Sequence, residues 1–274
     1  MPSTSHHPIH LCQPDKGKSC GACCGLYNWK NHSRADIKEI LELQTALFAP
    51  FQTSEHADFD RYRELREAGI KNEKLFETIY NCEFIGFIDP EHCRVGCMLH
   101  PMVTGGRDLR DHCFYGAEIC SGHFCPGYSC FSTAQQRAVV DATSDWYLYG
   151  LTITDIDLVK EFFKHVENTI GDSIKEKRLG NPAALAVLAD FFRLKENWRF
   201  KAAENRLGKY YFSAAEYHVA RIEYEQRWGV PVSRFDKILV SLESEFASQD
   251  DLQTAEMLIQ SLIDRFIAVY TAVS

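Results

Sequence analysis

All 11 cysteines lie at or before Cys130, and the rest of the 274-residue chain contains none. Nine of the 11 histidines fall in the same part. Cysteine used only as a small buried hydrophobe would be scattered along the chain, so this segregation is the strongest constraint on the fold. It divides the chain into a Cys-rich module, residues 1–131, and a Cys-free remainder, residues 132–274. The N-terminus lacks the apolar core of a secretory signal. The longest apolar stretch, PAALAVLADFF, is interrupted by Asp190 and is shorter than the ~18–20 residues a membrane span needs. A cytoplasmic location without a membrane partner is therefore expected. In a reducing compartment a disulfide framework would not persist, and 11 is an odd number. Thiolate–metal chemistry is the expected use of these residues.

The cysteines come in three groups. Cys20-x2-Cys23 has the spacing at which two sulfurs reach one metal around a tight turn, with Gly21 and Gly25 supplying backbone freedom. Cys24 must then point elsewhere, and Cys12 lies eight positions upstream of Cys20. CEFIGFIDPEHCRVGCMLHP follows, with Cys82, Cys93 and Cys97, then CFYGAEICSGHFCPGYSC, with Cys113, Cys120, Cys125 and Cys130. Two four-thiolate sites use eight cysteines. Cys12, Cys20, Cys23, Cys24, Cys82, Cys97, Cys120 and Cys125 are the expected ligands, leaving Cys93, Cys113 and Cys130 spare. His92, His100, His112 and His123 stand within three residues of a cysteine, although a loop histidine is more usually solvated or hydrogen-bonded. Arg94, Arg107 and Arg110 are candidates to offset thiolate charge. CGAC does not follow a strand and open a helix, as a thioredoxin-like pair would. No H-x-E precedes Cys125-Pro126, so the zinc deaminase pattern is absent.

The CGACC corner, CEFIGF, GCMLHP and the later cysteines together resemble the zinc- or iron-chelating cysteine-cluster domains (YkgJ-like). The likeness spans about residues 12–130. It implies chelation by Cys12, Cys20, Cys23, Cys24, Cys82, Cys97 and one or more of Cys113, Cys120 and Cys125, and it assigns no reaction. Seven residues separate Cys12 from Cys20 here, where three are usual in that family.

Beyond Ser132 the chain is punctuated by helix starts. STAQ (132–135), TDID (154–157), SAAE (213–216), SRFD (233–236) and SQDD (248–251) each fit a capping box. Ile153 with Leu158, and Phe212 with Tyr217, fit hydrophobic staples. Asn181-Pro182 is a further start, and Gly150, Gly171 and Gly229 are expected stops. Six helices are predicted, at unequal spacing that excludes a solenoid, with Tyr and Trp in 146–149 and 210–217 in the bundle core. In the Cys-rich part, a helix is expected from Ser33 to about Phe48, and one or two more from Phe59 to about Tyr80, interrupted near Gly69. Residues 82–131 show no helical period, and a run that long suggests a hold other than secondary structure. The fold class is thus mainly α: an irregular, metal-stapled Cys-rich module with a few helices, followed by an irregular α-helical bundle.

The net charge of −8 is evenly spread. Residues 1–130 carry 13 Lys+Arg against 17 Asp+Glu, and the remainder 17 against 21. No nucleic-acid partner is expected, since phosphate neutralisation requires a basic excess. No Ser/His/Asp set, phosphate loop or dinucleotide fingerprint points to a conventional enzyme. The expected cofactor is an iron–sulfur cluster, because aromatics flank the cysteines and Cys125-Pro126 is similar to the end of a ferredoxin run; zinc is the alternative. The expected role is redox or electron transfer. The alternatives are a zinc-stapled scaffold whose helices bind a protein partner, and an iron or zinc chaperone.

Overall fold

The computed structural model describes residues 9–52, 58–206, 209–210, 218–219 and 221–272. The SAAE start at 213–216 and the Phe212–Tyr217 staple lie outside them. In the Cys-rich part a single 3-10 turn, Ala22–Cys24, precedes α1 (Arg34–Gln52) and α2 (Phe59–Gly69). Ser33 and Asp36 exchange side-chain and backbone hydrogen bonds at the start of α1, as the sequence predicted. α2 ends at Gly69, where the interruption was expected, but no further helix follows it to Tyr80. The following segment is held instead by Asn28, which is fully buried. Its amide donates to the carbonyls of Phe76 and Ile79, and its side-chain oxygen accepts from the Phe76 N–H.

Residues 82–131 are not structureless. The FIGF motif enters β1 (Ile85–Phe87), which pairs antiparallel with β2 (Val95–Cys97) in the register Ile85 to Cys97 and Phe87 to Val95. The short hairpin survives because its edge polar groups are covered. From α1, Gln44 donates to the Ile85 carbonyl, and Thr45 Oγ1 accepts from the Phe87 N–H at 2.8 Å. On the other strand the buried Ser19 hydroxyl bonds both the carbonyl and the N–H of Val95. A 3-10 turn at Arg110–His112 then leads to α3 (Gly116–Gly122) and α4 (Gly127–Cys130). Hydrogen bonds account for the backbone's course here, so aperiodicity alone did not call for a metal staple. What remains for a metal to explain is the thiols.

The Cys-free part comprises α5 (Thr133–Ala142), α6 (Trp146–Ile153), α7 (Ile156–Ile170), α8 (Glu176–Leu179), α9 (Pro182–Phe192) and α10 (Leu194–Asn197). A two-residue pair, β3 (Lys209–Tyr210) with β4 (His218–Val219), precedes α11 (Tyr224–Trp228), α12 (Asp236–Ser241) and α13 (Gln249–Thr271). The capping boxes at Ser132 and Ser248 form, and Asn181 caps α9 ahead of Pro182. Gly171 and Gly229 close α7 and α11 in the left-handed conformation. Two predicted starts shift. Asp155, not Thr154, caps α7: its carboxylate accepts from the Leu158 N–H, while the Thr154 hydroxyl donates back to the Gly150 carbonyl. Ser233 instead bonds the Phe235 N–H, three residues before α12 begins. Phe162, Phe191 and Phe266 knit α7, α9 and α13, with ring centroids 4.4 and 5.3 Å from Phe162. Among the described residues, no helix is long and apolar enough to cross a membrane.

The predicted stop at Gly150 is not one: it lies inside α6, whose eight residues are all buried. A helix apolar all round belongs between two cores. Leu148, Tyr149 and Ile153 pack into the bundle core, whereas Trp146, Tyr147 and Leu151 pack with Leu26, Tyr27, Trp29 and Ile37 of the Cys-rich part. Trp146 and Tyr147 thus leave the bundle core to which the sequence assigned them. Residue 131 divides the chain by cysteine content, and α6 joins what it divides.

Candidate metal centre

The Cys20–Cys24 corner is built by the 3-10 turn and ends at Gly25, in the left-handed conformation at φ 74°. There the chain reverses, and the Cys82 N–H donates to the Cys24 carbonyl at 2.9 Å. Cys20 packs against the bundle core and Cys24 against the Phe48, Phe59, Tyr62 and Phe84 core of the Cys-rich part, while both also pack against the core around Tyr27 and Ile85.

The first thiol group is Cys12, Cys20, Cys23 and Cys125. Cys20 N–H donates to the Cys12 carbonyl. Tyr128, whose N–H bonds the Cys125 carbonyl, brings its hydroxyl within 3.8 Å of Cys12 Sγ. Cys23 and Cys125 are near enough to perturb each other's ionisation. Burial, then the neighbouring sulfurs Cys125 and Cys12, push the Cys20 thiol well up. The hydrogen bond to Cys125, followed by burial, does the same to Cys23, and Cys125, which accepts that bond, falls to about 7.

The second group is Cys24, Cys82, Cys97, Cys113 and Cys120. Cys82 and Cys113 are buried, and Cys24 and Cys97 pack against the same core. Cys113 Sγ lies 3.6 Å from Cys120 Sγ and is also hydrogen-bonded to Cys82. Accepting from Cys82 lowers the Cys113 thiol to about 5, while burial raises Cys97 to about 11 and Cys120 to about 12. Burial also raises Cys24 strongly. Arg110, held by both carboxylate oxygens of Asp108, is the cation that faces Cys97 and Cys120.

All eight expected ligands thus fall into one group or the other. Cys113, left aside by the sequence, joins the second. Its signal was the loop closed by Cys113 and Cys120, readable only once α3 brings its ends together. Cys93 lies in the Asp89 turn, its thiol 3.6 Å from the Glu91 carbonyl, and Cys130 lies beside Ser129. The nearby histidines have other tasks: His92 stacks on Phe87 at 4.4 Å, His112 lies 4.4 Å from Phe59, and His100 Nδ1 accepts from the Met102 N–H. All 11 cysteines are free thiols. Among the described residues, no three His, Cys, Asp or Glu side chains form a group that could hold a metal ion as they stand.

Thiols are the donor type that a thiophilic metal takes. Burial raises the proton affinity of Cys12, Cys20, Cys24 and Cys97, so ionising them carries a charge cost, and the Tyr149, Tyr128 and Tyr115 hydroxyls lie near the cysteines. What fold and thiols define is a mainly helical protein with two thiol groups on either side of one turn. No family model, no curated protein and no solved structure matches the chain.

Proposed function

We propose that this chain is a metal–thiolate protein, with an iron–sulfur cofactor and a redox or electron-transfer role. The observation that supports it is that free cysteines from distant segments come near the Cys20–Cys24 turn, with Cys20 beside Cys12 and Cys125, and the Cys113 and Cys120 sulfurs 3.6 Å apart. The resemblance of residues 12–130 to the cysteine-cluster domains belongs to the same reading. Cys12, Cys20, Cys23 and Cys125 would hold one centre, and Cys24, Cys82, Cys97 and Cys120 would supply the other. An iron–sulfur cluster takes up and releases single electrons at thiolate-held iron. The protein's part is to release the thiol protons, turn the sulfurs together about χ1, and exclude water with the aromatic walls. Arg110, facing Cys97 and Cys120, would stabilise the more negative, reduced form.

Four thiolates also suit tetrahedral zinc, which makes a zinc-stapled scaffold the second reading; its helices would then serve a protein partner. The first group, wedged against the bundle core, favours such a fastening role. Anaerobic purification with iron, zinc and sulfide measured per chain decides between them. The expected protein is brown, carries iron and acid-labile sulfide, and bleaches on reduction. Cys23→Ser should lose metal, while Cys130→Ser should keep it. A colourless protein with stoichiometric zinc and no sulfide would replace the redox role with the scaffold, and one that takes up neither metal would refute both readings.

A further inference from the structure

Beyond the metal–thiolate reading, and without need of a metal, we infer that Cys113 and Cys120 form a reversible dithiol–disulfide pair that reacts with low-molecular-weight disulfides. Cys120 is the attacking sulfur and Cys113 the resolving one.

The two sulfurs are already in contact. Cys113 Sγ lies 3.6 Å from Cys120 Sγ, and a disulfide bond is about 2.0 Å long, so roughly 1.6 Å of closure separates contact from bond. Cys113 is the anchored partner. It is buried with Phe48, Phe59, Tyr62 and Phe84, its N–H donates to the Arg110 carbonyl, and its carbonyl accepts from the Gly116 N–H. Cys120 is the partner free to move. It stands on α3, a seven-residue helix without a buried residue, and a Cβ on the neighbouring Gly122 would meet open space. Phe114 and Ile119, inside the loop that the two cysteines close, are exposed as well. Closing the bond therefore needs no core side chain to be displaced.

Exposure also divides the chemistry between the two sulfurs. Of the 11 cysteines, all among the described residues, Cys120 alone is exposed, whereas Cys113 is buried. A disulfide arriving from solvent meets Cys120 first. The Cys120 thiolate attacks one of its sulfurs, a mixed disulfide forms on Cys120, and one small thiolate leaves and takes up a proton. Cys113 then loses its proton and attacks Cys120 Sγ. The Cys113–Cys120 bond forms, and the second small thiolate leaves and is protonated. Two electrons and two protons pass from the dithiol to the incoming disulfide, and an added thiol reverses both steps. A sulfur in this bond no longer offers a thiolate to a metal, so at Cys120 oxidation and metal loading exclude each other.

The test uses the full chain, reduced and held with EDTA so that its thiols are free. It is exposed anaerobically to glutathione disulfide, quenched with acid and alkylated. Cleavage after Arg110, Glu118 and Arg137 separates Cys113 from Cys120 unless a bond joins them, and mass spectrometry of the fragments places that bond. The Cys113–Cys120 bond should be the first to form, and dithiothreitol should reverse it. In urea, where the fold no longer holds the sulfurs together, pairing should spread over other cysteines. Cys113→Ser should stop at the glutathione adduct of Cys120 and accumulate it about tenfold or more above the unaltered chain, because the intramolecular step that removes it is gone. Cys120→Ser should leave Cys113 without an adduct. A first bond elsewhere, an adduct that persists on Cys120 of the unaltered chain, or the same pairing preference in urea overturns the inference. So does a glutathione adduct on Cys113 in the Cys120 variant. Iron, zinc and sulfide in the chain as purified are measured separately, so failure of the pair leaves the metal–thiolate reading standing, and failure of that reading leaves the pair.

Discussion

At the scale of single residues, Gly25 is what closes the Cys20–Cys24 corner. Its φ of 74° is a conformation that L side chains adopt at a cost of roughly 1–2 kcal/mol. A Cβ there would also run into the Tyr80 carbonyl oxygen and approach Asn81 Cα to 2.9 Å. The Gly25 carbonyl is in turn held by the buried Asn81 amide, which is paired with Asn28 at 2.7 Å. Gly25→Ala should therefore destabilise the chain by about 2–4 kcal/mol, strain and backbone crowding together. Thermal unfolding measures this, and an unchanged midpoint would show that the turn does not depend on glycine. The sequence expected backbone freedom from Gly21 as well, but Gly21 has an ordinary φ of −123°. It is small because the Ile85 side chain occupies the place of a Cβ.

Among the elements, α6 carries the clearest case of a glycine misread. Gly150 sits mid-helix because the Tyr27 ring packs on it from the Cys-rich part, with its hydroxyl donating to the Tyr147 carbonyl at 3.0 Å. Added bulk there must push Tyr27 away. Gly150→Ala should cost about 1–3 kcal/mol by overpacking, despite alanine's better helix propensity. In a Tyr27→Phe background, where the crowding oxygen is gone, the same change should cost less; the difference is read from a double-mutant cycle in urea. Equal costs in both backgrounds would mean that the ring does not press on Gly150. Where helix signals were local they held, as at Ser132, Asn181 and Ser248. Where a cap had a competitor one residue away, as with Thr154 and Asp155, spacing alone did not choose.

Across the whole molecule, the Cys-rich part meets the bundle through half-buried and buried polar contacts as well as through α6. Arg34 pairs with Asp145, which caps α6, and with Glu196 of α10. His32 lies 3.6 Å from Glu243, which also faces Lys201 at 3.5 Å. Burial pushes the Glu243 carboxyl up, but His32, Lys201 and Lys195 outweigh it and hold it below its ordinary value. Asp145 behaves likewise: burial is opposed by Arg34 and by the N–H groups of Leu148 and Tyr147, with a net lowering. Carboxyls that bind protons less readily when folded stabilise the fold above the unfolded-state value, about 4, and that stability is lost as pH falls through the folded-state values. The urea midpoint should therefore hold from neutral pH down to about 5 and drop below it. Glu243→Gln should be less stable at pH 7, by about 1–3 kcal/mol, because Lys201 loses the carboxylate it faces, and should show a shallower acid slope. Parallel pH profiles for the two proteins would remove Glu243 from the account.

Capping boxes, a proline at a first helical turn, a glycine just past a last one, and a Cys-free remainder depend on residues a few positions apart. The mainly α class and the boundaries at Ser132, Asn181, Ser248, Gly171 and Gly229 were therefore written in the sequence itself. The six helices predicted beyond Ser132 are nine among the described residues, the short α8, α10 and α11 having no local start signal. The membership of the thiol groups was not. Cys23 and Cys125 are about a hundred residues apart, Cys113 becomes the link between Cys82 and Cys120 only when α3 folds back, and α6 divides its faces between two cores. Spacing limits which sulfurs can share a turn. Long-range packing decides which sulfurs meet, because closing those loops depends on every buried side chain between them.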